Sequence, residues 1–215
     1  MTYGTSYHAL KQRGRIRAGD QVLVLGASGG TGVAAIQIAK AFGANVVAAT
    51  SSDDKAAFAR ECGADRTIVY PRGPLDRETA RNLSLTLKDA LGDAGADIVF
   101  DPVGGDYCEP ALRAIAWRGR YLIVGFTAGI PKLPLNLPLL KGCDLSGIFI
   151  GGLYANEPDV AAQNTLELLK LFEQGKIRPQ ISKVYAFEDA PKAISTIAER
   201  QAFGKLVVRI GGAPE

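Results

Sequence analysis

The sequence has few of the residues that build metal centres and disulfide frameworks. Its 215 residues include one histidine, His8, and three cysteines. Cys62, Cys108 and Cys143 are far apart and form no Cys-x-x-Cys pair, so neither a zinc site nor a disulfide framework is expected. An odd number of separated thiols is typical of proteins in a reducing compartment, and we expect a cytoplasmic location.

Long apolar runs and an excess of one charge are also missing. The net charge is +3, and acidic and basic residues are interspersed, so the chain has no basic stripe for nucleic acid. No signal-peptide pattern opens the sequence, and the most apolar later stretch, 133–153, is interrupted by polar and charged residues. We therefore expect neither a nucleic-acid partner nor a membrane span.

The chain does have a glycine-rich turn between an apolar strand and a helix, which is either purely structural or a binding site for a dinucleotide. The strand is predicted over 22–25 and the helix over 33–43, where apolar residues recur at helical spacing. In the turn, alanine replaces the first glycine of the usual Gly-x-Gly-x-x-Gly pattern. Bare glycines let backbone N–H groups approach phosphate oxygens, and the helix start adds a partial positive charge. The predicted pyrophosphate-binding residues are Gly26, Ala27, Gly29, Gly30, Thr31 and Gly32.

The residues after the second predicted strand, 45–49, indicate which dinucleotide would bind. An acidic residue about 20 positions beyond the first glycines would accept hydrogen bonds from an NAD ribose. Hydroxyl residues occupy that position and a lysine follows one helical turn later, which favours the 2′-phosphate of NADP(H). These residues are Thr50, Ser51, Ser52 and Lys55. The alternative is that Ser51 or Ser52 only caps a helix beginning near Asp53, with Lys55 in solvent.

Strands and helices alternate along the chain, which predicts an α/β fold with a doubly wound parallel sheet. Further strands are expected at 67–70, 96–100, 120–124 and 145–150, and helices at 78–90, 107–116 and 158–174. The last of these helices is expected to bury Val160, Leu166, Leu169 and Phe172. Ligands of such sheets lie beyond the carboxyl ends of the strands, so 102–104 and 125–127 are expected near a nicotinamide ring.

The C-terminal part is too short to form a core of its own. A strand over 182–185, a helix over 188–199 and a strand over 205–210 make a strand-helix-strand unit of roughly 35 residues. We therefore predict a Rossmann domain with an N-terminal linking helix over 1–178 and a C-terminal segment over 179–215. The apolar residues expected to face solvent or a partner in this segment are Val184, Ile194, Ile197 and Val207.

Several short motifs, taken in order, resemble the quinone oxidoreductase branch of the medium-chain dehydrogenase/reductase family. They are Thr2-Tyr3-Gly4-Thr5-Ser6-Tyr7-His8-Ala9-Leu10, the glycine turn, Asp101-Pro102-Val103-Gly104-Gly105, Arg118-Gly119-Arg120, Gly125-Phe126 and Phe203-Gly204-Lys205-Leu206-Val207. The resemblance extends over essentially the whole chain. It implies that the family's GroES-like catalytic domain would end where this chain begins, and that the C-terminal strands would pack on that domain.

The resemblance implies roles for individual residues around a bound NADP(H). The glycine turn would bind the pyrophosphate, and Lys55 and Tyr70 would lie beside the 2′-phosphate. Residues expected along the nicotinamide side are Val103, Gly104, Gly125, Phe126, Thr127 and Phe149, and Lys205 would return to the cofactor. Thr5 would lie near the nicotinamide. Tyr7 is a candidate for polar assistance to catalysis, with packing between helix and sheet as its alternative.

The resemblance also implies an activity, which is NADPH-dependent hydride transfer to a quinone or an α,β-unsaturated carbonyl. Zinc-dependent relatives carry a ligand cysteine four positions before Thr5, and Met1 stands there, so a zinc-independent enzyme with no metal is expected. The family dimerises through the sheet edge, which implies a homodimer through the edge strand 144–150. The alternative function is a cofactor-binding and dimerisation module with little or no turnover.

Overall fold

The computed structural model describes residues 1–211 and shows an α/β fold built on a six-stranded sheet. The strands are β1 (Gln21–Val24), β2 (Asn45–Thr50), β3 (Arg66–Val69), β4 (Ala96–Asp101), β5 (Ile115–Ile123) and β6 (Asp144–Gly147). Their order is β3-β2-β1-β4-β5-β6, and each neighbouring pair is parallel. This is the strand order of a Rossmann fold, in which the chain moves outward from β1 and returns to its other side at β4. The predicted fold class is confirmed.

Helices cover both faces of the sheet. They are α1 (Thr2–His8), α2 (Gly30–Ala41), α3 (Asp53–Glu61), α4 (Arg77–Leu91), α5 (Cys108–Arg113), α6 (Asn136–Lys141), α7 (Ile150–Asn156), α8 (Pro158–Glu173) and α9 (Ala190–Ala198). One π-helical turn, Ala9–Arg13, extends α1, and short 3-10 turns precede α5 and α9. Among residues 1–211 no helix has both the length and the apolar character needed to cross a lipid bilayer.

Alternate residues of the central strands enter two separate apolar clusters. In β1, Val22 and Val24 pack on the side of α1, α2 and α3, whereas Leu23 packs on the side of α4 and α5. A strand with both faces buried needs an apolar residue at every position, because successive side chains point to opposite faces. This requirement explains the uninterrupted apolar run of β1.

The segment between α5 and β5 differs from the prediction. The helix expected over 107–116 ends at Arg113, and β5 begins at Ile115 instead of 120. Arg118 has a left-handed backbone with φ of 59°, and the pairing with β4 shifts register between Ala96 and Ile98. A bulge therefore lets β5 begin early, which a strand pattern of period two does not reveal.

The strand expected over 145–150 is also shorter than predicted. β6 ends at Gly147, and α7 begins at Ile150. The backbone N–H of Ile148 still donates to the Ile123 carbonyl at 2.9 Å, but the chain then turns away from the sheet. Of the predicted edge strand 144–150, only the first four residues lie in β6, which forms one edge of the six-stranded sheet.

Helix α8 has the predicted bounds to within one residue, but the prediction of its buried face is wrong. Leu166, Leu169 and Phe172 are each more than half exposed, and of the four predicted residues only Val160 is half-buried. The inward face carries Ala161 and Asn164, which pack towards α1. Because the polar Asn164 lies on the buried face of α8, the apolar periodicity of the sequence indicates the wrong face. The buried face is identified only by its contact with α1.

The C-terminal residues form the predicted strand-helix-strand unit. β7 (Ile181–Ala186) and β8 (Lys205–Arg209) make a separate two-stranded parallel sheet, and α9 connects them. Val184, Ile194 and Ile197 are exposed as expected, whereas Val207 is half-buried. The division of the chain between 178 and 179 stays a prediction, and the final residues of the predicted segment, 212–215, lie outside the described residues.

A polar network joins α1 and its π-helical extension to α8. The Tyr7 hydroxyl and the Lys11 ammonium group both donate to the Glu167 carboxylate. The Gln12 amide donates to Asn164 Oδ1 at 2.7 Å, and Asn164 Nδ2 donates back to Gln12 Oε1 at 3.2 Å. Tyr7 and Asn164 are buried, so their polar groups need these partners. The network holds the N-terminal helix against the Rossmann core.

We predict that Glu167→Gln lowers the free energy of unfolding at neutral pH by about 1 kcal/mol, a modest value because the carboxylate is partly exposed. Hydrogen bonds from Gln163, Lys11 and Tyr7 lower the pKa of Glu167 from 4.5 to about 2. A depressed pKa in the folded state contributes stability above pH 4.5 that is lost as the pH falls towards 2. In urea unfolding, the difference in unfolding free energy between wild type and Glu167→Gln should disappear as the pH falls from 4.5 to about 2. Glu173→Gln, at the exposed end of α8, is the matched control, and a gap independent of pH would contradict the prediction.

Candidate functional site

The loops that follow β1 and β4 meet at the point where the strand order reverses. A Cβ atom built on Gly26 would lie 2.9 Å from Val103 Cγ2, and Gly26 has a φ of 58°. A Cβ built on Gly32 would lie 2.4 Å from the Gly26 carbonyl oxygen. Both positions therefore require glycine, for backbone conformation and for close approach. The crevice that binds ligands in open α/β sheets lies at this point.

The glycine turn presents the start of α2 to this crevice. Gly29 is the N-cap residue, and no side chain caps the helix. Gly29 is exposed, and Gly30 and Thr31 are half-buried, so the first backbone N–H groups of α2 are accessible to an anion. Ala27 is completely buried, and its methyl group packs in the core. Of the predicted pyrophosphate residues, Ala27 therefore offers only its backbone.

The C-terminal segment crosses the glycine turn. The Gly204 N–H donates to the Ser28 carbonyl at 2.9 Å, and Gly204 forms a parallel bridge with Gly29. The Lys205 side chain lies alongside Gly30, because its Cε would be 3.4 Å from a Cβ built on that glycine. Lys205 thus adds a cation at the positive end of α2, where its charge attracts an anion.

The hydroxyl residues after β2 have different environments. Thr50 is 1% exposed, and its Oγ1 donates to the Ser52 carbonyl at 3.2 Å, so its hydroxyl is not offered to the surface. Ser52 Oγ accepts from the Lys55 N–H at 3.4 Å and caps α3, as the capping alternative predicts. Ser51 is half-buried, and its carbonyl accepts from Arg72 Nε at 3.1 Å.

Three cations gather beyond the ends of β2 and β3. Lys55 is buried, and its Nζ donates to the Arg200 carbonyl at 2.7 Å, so the expectation that Lys55 is in solvent is wrong. Burial lowers the pKa of Lys55, and repulsion by Arg72 and Arg200 lowers it further. Neither arginine is predicted from the sequence. Arg72 follows β3 closely, a position that could have drawn attention, whereas Arg200 lies 145 positions beyond Lys55 and gives no local signal.

Two buried tyrosines pack against each other near Arg200. The rings of Tyr70 and Tyr107 have centroids 4.9 Å apart. The Tyr107 hydroxyl donates to the carbonyls of Pro71 and Gly73 at 2.9 and 3.0 Å, which fixes the loop after β3. Burial raises the pKa of Tyr70 to about 12, so it is a neutral phenol at physiological pH. Tyr70 lies near Arg200, and its position beside a 2′-phosphate stays a prediction.

The loops after β4 and β5 are bound to each other. The Ala128 N–H donates to the Val103 carbonyl, and the Gly105 N–H donates to the Gly129 carbonyl, both at 2.7 Å. Val103 and Gly104 are buried and Gly125 is half-buried. In contrast, Phe126 and Phe149 are 48% and 77% exposed, and Thr127 is also exposed. The crevice is therefore open on the side expected to hold a nicotinamide ring.

The two predicted catalytic residues lie on different sides of α1. Ser6 Oγ donates to the Thr31 carbonyl at 2.9 Å, which places α1 against the start of α2, whereas the half-buried Thr5 donates through Oγ1 to the Met1 carbonyl at 3.1 Å. Tyr7 is 3% exposed, and its hydroxyl is bonded to Glu167 of α8. Residues two apart on a helix project from different sides, so Thr5 and Tyr7 do not face the same surface, and the catalytic role of Tyr7 stays a prediction. Its alternative, a packing residue, agrees with the structure.

The fold and the glycine turn are those of a dinucleotide-binding Rossmann domain, and comparisons identify the family. A profile of the zinc-binding dehydrogenase family matches residues 30–170. Quinone oxidoreductase-like protein 2 of Bos taurus is 33% identical over 212 residues, 98% of this chain and 58% of the bovine protein. The structure of Escherichia coli quinone oxidoreductase in complex with NADPH has a TM-score of 0.83 at 25% identity, covering 97% of this chain and 63% of that one. A solved NAD-dependent alcohol dehydrogenase has a TM-score of 0.82 at 31% identity, over 98% and 57% of the two chains.

The chain belongs to the zinc-binding dehydrogenase family, and its resemblance to the quinone oxidoreductase branch of the medium-chain dehydrogenases/reductases is confirmed. The named relatives are oxidoreductases, and one of them was solved with NADPH. This chain spans 55% and 58% of the lengths of two of the curated relatives that it matches. What those longer proteins do therefore reaches this chain only as a proposal.

The family's name raises the question of whether this chain can hold zinc. Within residues 1–211, no three His, Cys, Asp or Glu side chains are grouped so that they could hold a metal ion. The His8 ring is buried against Gln12, and the Cys62 and Cys108 thiols are buried in separate apolar clusters. These residues do not fit a zinc site, since zinc needs several converging N or S ligands. The absence of a metal in the intact protein stays a prediction.

We predict that Gly32→Ala lowers the free energy of unfolding by about 2–3 kcal/mol, because the added methyl group would meet the Gly26 carbonyl. Gly147→Ala is the matched control, since no atom lies within 4 Å of a Cβ built there. The control should stay within about 0.5 kcal/mol of wild type. Chemical denaturation of both variants tests the prediction. Equal effects of the two substitutions would show that the close approach of the turn is not required.

Proposed function

We propose that this chain is the cofactor-binding part of an NADPH-dependent oxidoreductase that reduces quinones or α,β-unsaturated carbonyl compounds without zinc. The observation that carries the proposal is that two positively charged regions follow the carboxyl ends of neighbouring strands. One is the uncapped start of α2 with Lys205 beside it, and the other is the group of Lys55, Arg72 and Arg200. Two phosphate-bearing groups at the two sites would fit a dinucleotide with a 2′-phosphate.

The chain's own residues would bind and orient the cofactor. The backbone N–H groups of Gly30 and Thr31 would donate to the pyrophosphate, whereas the Gly29 N–H donates to the Gly26 carbonyl at 3.1 Å. Ser51 and the three cations would surround the 2′-phosphate, with the Tyr70 ring beside them. The linked loops after β4 and β5 would support the nicotinamide ring, with Thr5 approaching from α1. When bound, NADPH would supply the hydride, and these residues would hold it in place.

Several observations support the rest of the proposal. Cys62, Cys108 and Cys143 are free thiols among the described residues, which agrees with a reducing compartment such as the cytoplasm. β6 forms an open sheet edge, and an edge of this kind is suited to pair with a second copy of the chain. Neither nucleic acid nor a membrane is proposed as a partner.

A second candidate function is a cofactor-binding and dimerisation module with little turnover. The exposure of Phe126, Thr127 and Phe149 favours it, because this side of the crevice is open to water. Hydride transfer is efficient when water is excluded and when donor and acceptor are held at near-attack distance. The two candidate functions share a cofactor and differ in turnover.

We predict that NADPH binds more tightly than NADH and that this preference depends on the cations. Lys55→Ala should lose about 1.5–3 kcal/mol of NADPH affinity and leave NADH affinity unchanged. Arg72→Ala should change affinity in the same direction, and its exposed position keeps folding unaffected. Titration calorimetry measures both dissociation constants. Equal values for NADPH and NADH with the wild-type chain would contradict the preference.

Gly29→Val is the control for that titration. Gly29 has an extended backbone with φ of −75°, and the nearest atom to an added Cβ lies 3.4 Å away, so valine should fold there. The branched side chain would block the approach of the pyrophosphate to the backbone, and affinity for both cofactors should be lost. If folded Gly29→Val binds NADPH normally, the phosphates lie elsewhere.

We predict that the isolated chain binds NADPH but oxidises it slowly with a simple quinone, well below the ~10 s⁻¹ median of ordinary enzymes. Light scattering on the same sample should give the mass of a dimer. Gly29→Val measures the background rate that is independent of the site. A monomer that oxidises NADPH at about 10 s⁻¹ would contradict the second candidate function. It would also contradict the inference that an open crevice slows hydride transfer.

A further inference from the structure

A buried carboxyl group stands where β4 gives way to its loop. Asp101 is 1% exposed. Its Oδ1 accepts from the backbone N–H groups of Val103 at 2.7 Å and Gly104 at 2.9 Å. Its Oδ2 accepts from Tyr121 Oη at 2.7 Å and Cys108 Sγ at 2.8 Å. All four partners are donors, which is the arrangement that an ionised carboxyl group requires.

The two carboxylate oxygens do different things. Oδ2 is held by Tyr121 of β5 and Cys108 of α5, both fully or almost fully buried, so these residues fix the carboxylate in the core. Oδ1 accepts two successive backbone N–H groups, which bends the loop back onto Asp101 and stabilises Gly104 at a φ of 71°. The loop that begins at Pro102 is therefore bound to a fixed point in the sheet.

Asp101 also connects this loop to the one after β5. Its backbone carbonyl accepts from the Val124 N–H at 2.8 Å. The packing beyond is close, because a Cβ built on Gly104 would lie 2.6 Å from the Gly129 carbonyl oxygen. Two loops packed this closely transmit a displacement from one to the other. One residue thus holds both loops that would support the nicotinamide ring.

We propose that Asp101 is a positioning residue for the nicotinamide half of the cofactor. This inference rests on the proposed function, since it assumes that Val103 and Gly104 face the nicotinamide. Its four side-chain hydrogen bonds go to the β4 loop, α5 and β5, whereas the cationic group is held through Ser51, Lys55 and Arg200. Loss of the carboxylate should therefore weaken binding of the nicotinamide half and spare the adenosine half.

The test compares two ligands, NADPH and adenosine 2′,5′-bisphosphate, which carries only the adenosine half. Asp101→Ala should raise the dissociation constant of NADPH about tenfold or more and leave that of the bisphosphate within about twofold. Tyr121→Phe is the matched control, because it removes one donor of the same buried group and keeps Oδ1 for the loop. It should leave both constants within about threefold. Asp101→Asn keeps one oxygen for the two loop N–H groups and should give partial rescue.

Hydrogen exchange of the Val103 and Gly104 amides supplies a readout without ligand. Both amides should exchange about tenfold faster or more in Asp101→Ala than in Tyr121→Phe. Unchanged exchange, or equal weakening of both ligands, would overturn the inference. Bisphosphate binding also shows that each variant is folded, and Asp101→Asn replaces Asp101→Ala if alanine does not fold. If the wild-type chain binds neither ligand while exchange accelerates, the proposed function fails and Asp101 is only a structural anchor.

Discussion

The close approach of the glycine turn after β1 to Val103, in the loop after β4, is the constraint on which the candidate site depends. Gly26 has no side chain and can therefore lie against Val103, and Gly32 has none and can therefore lie against the Gly26 carbonyl, which keeps the start of α2 at the point where the strand order reverses. With the helix start in this position, Gly30 and Thr31, which follow the exposed Gly29, can offer backbone donors to an anion. The loop that carries Val103 is then placed beside the same crevice, where Asp101 fixes its shape.

The electrostatic character of the site comes from segments that are far apart in sequence. Lys55 is contributed by α3, Arg72 by the loop after β3, and Arg200 and Lys205 by the C-terminal segment. Burial and mutual repulsion lower the pKa of Lys55 when no anion is present. A bound phosphate would replace this repulsion with attraction, so the site favours a ligand with a negative charge at this end. The hydrogen bond from Lys55 to the Arg200 carbonyl also joins the C-terminal segment to the Rossmann core.

Prediction from sequence succeeded where a local pattern had one physical meaning. Alternating strands and helices specified the doubly wound sheet, and the capping role of Ser52 was among the expected alternatives. Prediction failed where a distant contact decided the outcome. The bulge near Arg118 lengthens β5, and the polar contacts of α1 turn Leu166 and Leu169 of α8 outward. The hydrogen-bond partner of Tyr7 is Glu167, which is 160 residues away and could not be predicted from a local pattern.

By itself, the sequence determined the class of fold, the glycine turn and the family. Each of these depends on short-range chemistry, such as apolar periodicity or the absence of a Cβ atom, and short-range chemistry can be read along the chain. Only the tertiary structure decided which cations meet, which face of each helix is buried, and which polar groups satisfy each other. Arg200 reaches Lys55, and Gly204 crosses Gly29, because the chain folds back after β7. Burial and pairing are properties of contacts between distant segments, and the linear pattern of residues does not specify those contacts.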